Sequence, residues 1–579
     1  MTPESANRAS LLLSIAVAIF SAVIGWHSAQ NLETLWDEAV DHDIAVGLAR
    51  NPVLGQPPTL DPSQMRLPMY VNALVTWLTG QDDLRMFRAV SLLVGAATII
   101  GTGALARACF GPLAAALAVV ILGFSPYFLA YARIAMTEGD IFFACFVTWS
   151  LYALVRYLRR PSPENWILAA VLAALAVGSK LFGGFLYLVG GVMIMASGPA
   201  RSSDLAGRPE DVRRLHRLLL LAATALVLAL ILARYRGAWA AVAWAIAFIL
   251  WITAFVHVIR RRVLAPGRIT RYAGLVAFSL IACGVLMPVH VTEYRIAQEI
   301  ARRMLRWDNS FPLALWSDHL RLYAGIVLVK LTVPWGVLTA IALVYAAFRE
   351  RDDGRWRAAI LSVVFYIALI CLLPLRQSFY LIGVYPLIMI LTAALAVEIG
   401  RGLRRVAPAL AKAWAILLAI LLIHLGVQLY ETHPHYHLYG YELVGDRWLG
   451  AESRGYRNLI QTPSDGVESL IRWCNTDPRV RRGDTVVSYL WEHRIIQDVL
   501  PDDPHYVLIP RGVTPESDEV PPPPSIESAD YVLLHINNLL GYGDRPPDWP
   551  PPDLLTSRFE VIHTVRRGPL AVAWVYAAR

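Results

Sequence analysis

Two adjacent carboxylates, Asp37 and Glu38, follow Trp36 shortly after the first apolar run of the chain. A carboxylate near a membrane surface can act as a general base, or it can bind a divalent cation, since hard cations prefer oxygen ligands. We expect Asp37 to be the reacting carboxylate and Glu38 to be an orienting or solvated neighbour. The alternative is that Asp37 only caps a helix, because Asp is common at helix starts.

A second acidic pair, Glu138 and Asp140, follows Arg133 at the start of another apolar run. A charge at such a boundary costs about 2.5–3.5 kcal/mol on insertion scales, so unpaired charges are disfavoured there. We expect the pair to shape or charge-balance a site together with Arg133. Two alternatives stay open: the carboxylates only end a span, or they hold a divalent cation together with Asp37.

Cationic and phenolic side chains near other apolar boundaries suit a phosphate group, which cations bind through charge-assisted hydrogen bonds. These candidates are Arg66, Arg88, Arg133, Lys180, Arg376 and Tyr380. Lys180 has the alternative of a snorkelling interfacial lysine, and Tyr380 that of an aromatic-belt residue.

The composition indicates a membrane protein with many spans. Of the 579 residues, 56% are hydrophobic and only 17% are charged, and several apolar runs exceed the roughly 18 residues that suggest a span. The net charge of +8 fits basic cytoplasmic loops and not nucleic-acid binding. Five cysteines without a CxxC pair imply neither a disulfide framework nor a zinc site.

The apolar runs predict about thirteen spans, near residues 11–26, 89–108, 112–130, 141–157, 166–179, 181–197, 218–233, 238–258, 272–290, 322–348, 357–373, 379–398 and 413–430. Residues 166–198 are too long for one span, and a break at Gly178–Lys180 keeps every arginine cluster in an even-numbered connection. Those connections are then cytoplasmic, as is the N-terminus. The candidate site residues all lie on the opposite, outer side.

The chain is therefore predicted to be a polytopic all-α membrane domain over residues 1–430, with an external loop at about 27–88. Residues 431–579 are more charged and proline-rich, and they are predicted to form an extracytoplasmic α/β domain. Its predicted helix is GVESLIRWC, and its predicted strands are TVVSYL, YVLLHI, FEVIHTV and LAVAWVYA.

Several of these residues carry a resemblance to a known family. The motifs are Trp36-Asp37-Glu38, Arg66-Leu67-Pro68, Arg88, the run RIAMTE at 133–138 and GSK at 178–180. Together they resemble the polyprenyl-phosphate-sugar glycosyltransferases of the GT-C superfamily, within the protein O-mannosyltransferase and lipid A aminoarabinose transferase group. The family commonly has Asp where this chain has Glu138, and Lys-Pro-Pro where it has Arg-Leu-Pro.

The resemblance implies a GT-C fold with thirteen transmembrane helices and an external C-terminus. It implies an inverting glycosyltransferase that takes a hexosyl or pentosyl group from a polyprenyl-phosphate donor, at the outer face of a bacterial inner membrane. The acceptor would be a hydroxyl of a protein, a glycolipid or a cell-wall glycan. A divalent cation is an option as cofactor, and no nucleic acid is expected.

A second hypothesis is a transporter or flippase of a lipid-linked glycan. Charges concentrated on one membrane face, instead of near the midplane, argue against it.

Overall fold

The computed structural model describes residues 3–33, 36–50, 67–135, 140–160, 162–196, 274–276, 279, 282, 320, 323–328, 330–348, 354–371, 378–436, 466–481, 484–488, 506–508, 528–535, 552–567 and 570–579. Within them the chain is mostly helical, with a small sheet near the C-terminus.

The helices before residue 200 are α1 (Pro3–Gln30), α2 (Trp36–Arg50), α3 (Leu67–Thr79), α4 (Leu84–Phe110), α5 (Pro112–Gly123), α6 (Pro126–Ala132), α7 (Asp140–Arg159), α8 (Pro163–Ser179) and α9 (Phe185–Ala196). The later apolar helices are α10 (Val333–Phe348), α11 (Gly354–Ile370), α12 (Tyr385–Val406) and α13 (Pro408–Thr432). Two 3₁₀ turns, Leu181–Gly184 and Ser378–Gly383, precede α9 and α12.

Among the described residues, α1, α4, α7, α12 and α13 are each long and apolar enough to cross a membrane, and the pair α5–α6 would add a sixth crossing. The protein is a multi-pass membrane protein. The predicted spans at 218–233 and 238–258 lie outside the described residues. The number thirteen therefore stays a prediction.

Three predicted spans differ in detail from the helices. Residues 112–130 are not one straight helix, because the chain bends by 66° between α5 and α6. The bend follows from Pro126, which lacks an N–H and starts a new helix, with the Ser125 hydroxyl accepting from the Phe128 N–H at 3.4 Å. The span at 322–348 is interrupted before α10 by Thr332 with a φ of 72°, and α12 begins only at Tyr385.

The predicted break at Gly178–Lys180 is confirmed, since α8 ends at Ser179 and α9 begins at Phe185. α7 and α8 form a helical hairpin, and Ser162 caps α8 while Pro163 starts it. The Ser150 hydroxyl donates to the Ala169 carbonyl at 2.9 Å. Alanines on both helices are fully buried there, and such small residues let the helices approach closely.

The C-terminal sheet has five strands within the described residues, in the order β2-β1-β3-β5-β4. They are β1 (Val486–Ser488), β2 (Tyr506–Leu508), β3 (Tyr531–His535), β4 (Phe559–Arg567) and β5 (Leu570–Ala578). β1 is parallel to β2 and β3, whereas β5 is antiparallel to β3 and β4. The sequence predicted every strand except β2.

Helices cover both faces of this sheet. α14 (Val467–Thr476) packs Leu470 and Ile471 against one face, and α15 (Pro552–Arg558) contributes Leu555 to a core on the other. Because both faces are covered, β3 is buried along its whole length, and its first four residues, YVLL, show no alternation of apolar and polar side chains.

The chain divides into two compact units. The first comprises Met1–Trp26 and His42–Val427, and the second comprises His27–Asp41 and Gln428–Arg579. The second unit therefore includes a short segment of the predicted external loop, and that segment carries Asp37.

Candidate functional site

The hairpin of α7 and α8 brings Asp140 and Lys180 together. Asp140 is the first residue of α7, and Lys180 is the C-cap residue that directly follows α8. The Lys180 ammonium donates a hydrogen bond to Oδ1 of Asp140. Both side chains are buried, with only 11% of the lysine and 7% of the aspartate exposed. The two residues form a desolvated ion pair, in which each charge depends on the other.

The helix ends favour this placement of the two charges. The positive end of the α7 dipole lies at its N-terminus, beside the Asp140 carboxylate, and the negative end of α8 lies beside Lys180. Each side chain thus has the sign that its own helix end stabilises.

Two aromatic rings also contact the lysine. The Lys180 ammonium lies 5.0 Å from the ring centroid of Phe379 and 4.5 Å from that of Tyr380. Both distances are within the roughly 6 Å over which a ring face attracts a cation. Tyr380 is one of the residues that the sequence predicted for the site, and the structure places its ring beside Lys180. Phe379 was not predicted.

The 3₁₀ turn that carries these rings is fixed by close packing. The Tyr366 hydroxyl of α11 donates to the Tyr380 carbonyl at 2.5 Å. A Cβ atom added at Gly383 would lie 2.1 Å from Cε1 of Phe143 on α7, so only glycine allows this approach. The turn is therefore positioned by the helix that begins with Asp140.

The turn after Lys180 is held in a similar way. The Lys180 carbonyl accepts from the Gly183 N–H at 2.8 Å, which closes the 3₁₀ turn. A Cβ atom at Gly183 would lie 2.5 Å from the backbone nitrogen of Val177. The glycine lets the chain fold back tightly on the end of α8, and this fixes the direction in which Lys180 leaves the helix.

Two predicted arginines are buried in the same compact unit. Arg88 lies in the second turn of α4 and is 4% exposed, and Arg133 ends α6 and is fully buried. Guanidinium groups are suited to phosphate because their donors are planar and forked.

The carboxylates of the first loop lie on α2, in the second compact unit. Asp37 is the second residue of the helix, where the dipole favours a negative charge, and its side chain lies outside the described residues. Glu38 is fully buried, and Asp41 is 4% exposed. A buried carboxylate is costly unless it is paired or hydrogen-bonded.

The other predicted residues, Arg66, Glu138 and Arg376, lie outside the described residues. In the part of the chain that the structure describes, no cluster of three His, Cys, Asp or Glu side chains could hold a metal ion. Of the three carboxylates named as metal ligands, Asp140 has a described side chain, and its oxygen binds Lys180.

The sequence held one unused signal for the Asp140–Lys180 pair. Both residues lie about twenty positions from Ser162, on opposite sides of it, so a helical hairpin must bring them to the same end.

Residues 66–205 match the family model described as dolichyl-phosphate-mannose-protein mannosyltransferase. The match includes Arg88, Arg133, Glu138, Asp140 and Lys180. The resemblance to GT-C glycosyltransferases is confirmed. Asp37 lies upstream of the matched segment.

Three solved structures are similar over most of the chain. The oligosaccharyltransferase of Archaeoglobus fulgidus in the apo form is 12% identical, with a TM-score of 0.49, over 91% of this chain and 71% of that one. The AglB oligosaccharyltransferase of the same organism, in complex with an inhibitory peptide and a dolichol-phosphate, is 14% identical with a TM-score of 0.46, over 98% and 74%. ArnT from Cupriavidus metallidurans bound to undecaprenyl phosphate is 14% identical with a TM-score of 0.46, over 97% of both chains. No curated protein sequence matches.

Proposed function

We propose that this protein is an inverting glycosyltransferase that moves a sugar from a polyprenyl-phosphate donor to an acceptor hydroxyl, at the outer face of a bacterial cytoplasmic membrane. The observation that carries the proposal is the buried Lys180 ammonium, which contacts Asp140 and the rings of Phe379 and Tyr380. Lys180 and Asp140 both lie inside the segment that matches the family model. Desolvating both charges of the pair is costly, and an ammonium held in this way can bind the phosphate of a lipid donor through charge-assisted hydrogen bonds.

In the proposed reaction the acceptor oxygen attacks the anomeric carbon, and the bond between that carbon and the phosphate oxygen breaks. The electron pair leaves with the lipid phosphate, while Asp37 takes the proton of the acceptor hydroxyl. A single displacement inverts the anomeric centre. Lys180 stabilises the charge that grows on the departing phosphate, and such preorganised groups act strongly where water is excluded.

Asp140 has a positioning role in this proposal, because its carboxylate holds the Lys180 ammonium in one direction. The other proposed contacts with the donor phosphate or lipid are Arg66, Arg88, Arg133, Arg376 and Tyr380. Glu38 would orient Asp37, and Glu138 would help to shape the sugar pocket. In an alternative form of the proposal, Asp37, Glu138 and Asp140 together hold a divalent cation. Loss of sugar transfer on adding a chelator to the assay would support this form.

The decisive experiment is sugar transfer by the purified full-length protein in proteoliposomes. Because the matched family is named for a mannosyl donor and a protein acceptor, polyprenyl-phosphate mannose with a serine- and threonine-rich peptide is tested first, followed by glycolipid and glycan acceptors. We expect Asp37→Asn to lower kcat by about 100- to 10,000-fold, the usual contribution of a general base.

The matched control is Asp43→Asn, which changes an exposed carboxylate on the same helix and should retain nearly full activity. Transfer by Asp37→Asn at the wild-type rate would refute the proposed base. Movement of the donor across the vesicle membrane without any sugar transfer would favour the transporter hypothesis instead.

A further inference from the structure

The segment that leads into α2 is fastened to the C-terminal region by Glu33. One oxygen of the Glu33 carboxylate accepts from the backbone N–H of Gly466 at 2.9 Å, and the other accepts from the Ser469 hydroxyl. These residues lie at the start of α14, more than 430 positions along the chain. All of them belong to the second compact unit.

The start of α14 needs a partner from outside the helix. Its N-cap residue is Gly466, which has a φ of 94° and no side chain to accept from the first turn. A Cβ atom there would lie 2.7 Å from Cγ2 of Val572 on the sheet, so a serine or aspartate cap does not fit. Glu33 instead accepts from the N–H of the N-cap residue itself and from the hydroxyl of Ser469 in the first turn, and it places a negative charge at the positive end of the helix.

Two further contacts fasten the same segment. His27 and His433 are joined by a ring-nitrogen hydrogen bond of 2.7 Å, and the Ser28 hydroxyl donates to the Pro434 carbonyl at 2.5 Å. His433 in turn contacts the Tyr436 hydroxyl at 2.5 Å. Residues 27–33 are therefore held at both ends by residues that follow α13.

Asp37 follows Glu33 by four residues, so its Cα atom lies within about 14 Å of the anchored one. We propose that Glu33 is a positioning residue, through which the C-terminal α/β region holds the segment that carries Asp37 in its reactive place. This inference rests on the proposed role of Asp37. It gives the C-terminal region a part in the reaction that needs no contact with substrate.

The test compares Glu33→Ala, Ser469→Ala and the double variant in full-length protein. We expect Glu33→Ala to lower kcat by about 10- to 100-fold, as displacement of a reacting group by about 1 Å does, and to leave the KM for polyprenyl-phosphate mannose within about twofold. The double variant should lose no more than Glu33→Ala alone, because both changes break the same contact. Glu33→Gln keeps an acceptor oxygen and should recover part of the rate.

The control is Glu468→Ala, which removes the carboxylate that pairs with Arg472 in the first turn of α14 and keeps both groups that donate to Glu33. Hydrogen exchange of the amides at 36–41 gives a readout independent of activity, and it should speed up in Glu33→Ala but not in Glu468→Ala.

Unchanged kcat in Glu33→Ala, with Asp37→Asn inactive, would overturn the inference and leave the proposed function intact. An equal loss of kcat in Glu468→Ala would also overturn it. If Asp37→Asn stays active, the proposed base is wrong, and the exchange result alone decides whether Glu33 holds the segment.

Discussion

The buried pair of Asp140 and Lys180 gives the sharpest quantitative prediction. Asp140→Asn removes one charge and keeps the shape of the side chain, while Lys180→Met removes the other. Breaking a buried ion pair by changing one partner typically costs about 3–5 kcal/mol, because the remaining charge stays buried without compensation. We expect each variant to lose stability in this range, since both side chains are nearly covered.

The two losses should differ because of the rings. In Asp140→Asn the ammonium keeps Phe379 and Tyr380, and an asparagine oxygen can still accept its hydrogen bond, so the loss should be near 3 kcal/mol. Lys180→Met also loses the two cation–ring contacts, each worth about 0.5–2 kcal/mol. We therefore expect it to cost at least about 1 kcal/mol more than Asp140→Asn.

The double variant Asp140→Asn with Lys180→Met should cost less than either single change, because no buried charge remains. The free energies of unfolding are measured for all four proteins by reversible denaturation in mixed micelles. Asp82→Asn is the matched control, because its carboxylate pairs with Arg50 at the exposed surface, where such a pair contributes only about 0–1 kcal/mol.

If Lys180 binds the donor phosphate, adding the lipid should change these free energies of unfolding. Polyprenyl phosphate at about 100 times its Kd should stabilise a binding-competent protein by about 2.7 kcal/mol. The gain should be larger in Asp140→Asn, where the phosphate replaces the lost counter-ion, and smaller in Lys180→Met. Losses that simply add in the double variant, or equal lipid effects in both single variants, would refute the reasoning.

Three further predictions concern other parts of the chain. Gly383→Ala should destabilise the fold by about 1–3 kcal/mol in thermal unfolding, since its methyl group would overlap Phe143. Hydrogen bonds from Arg479 lower the pKa of Asp477 to about 2, below its unfolded value near 3.8, so its stabilisation is present above about pH 4 and is lost as the pH falls towards 2. The stability difference between wild type and Asp477→Asn, followed by acid unfolding, should shrink over that window. Membrane-impermeant thiol reagents should label Gln81→Cys from outside intact cells, and Arg401→Cys only after permeabilisation.

Each of these predictions has an internal comparison. Gly402→Ala adds a methyl group with no atom within 4 Å and should be neutral or slightly stabilising. For the acid series, the pH dependence of the Asp477→Asn effect should be smaller in an Arg479→Ala background, because Asp477 then keeps only the hydrogen bond from the backbone N–H of residue 479. In the labelling series the background is low, because the cysteines that the structure describes are buried; labelling of both sites from one side would contradict the predicted topology.

Much of the local structure was predictable because its signals are local. The apolar runs of the matched region became helices close to their predicted limits, and the strand-like runs at 531–536 and 559–565 became β3 and β4. The break after Ser179 was predicted because an apolar run longer than a membrane is thick must be interrupted. β2 was missed because its apolar run is short and lies between proline-containing stretches of sequence.

The bend between α5 and α6 shows the limit of hydropathy. Residues 112–130 are uniformly apolar, and this property does not distinguish a straight helix from a bent one. Pro126 contained the signal, but a proline near the middle of an apolar run can also be accommodated in a kinked span.

The sequence by itself determined that the chain is a multi-pass membrane protein, which residues are charged at its apolar boundaries, and which family its motifs resemble. These follow from composition and short-range spacing, which act on each segment alone. Only the tertiary structure decided that Asp140 pairs with Lys180 beneath Phe379 and Tyr380, and that Glu33 binds the start of α14. The partners in these contacts are separated by 40 to more than 400 residues. Only tertiary packing decides which helix end comes close enough to a given carboxylate to bind it.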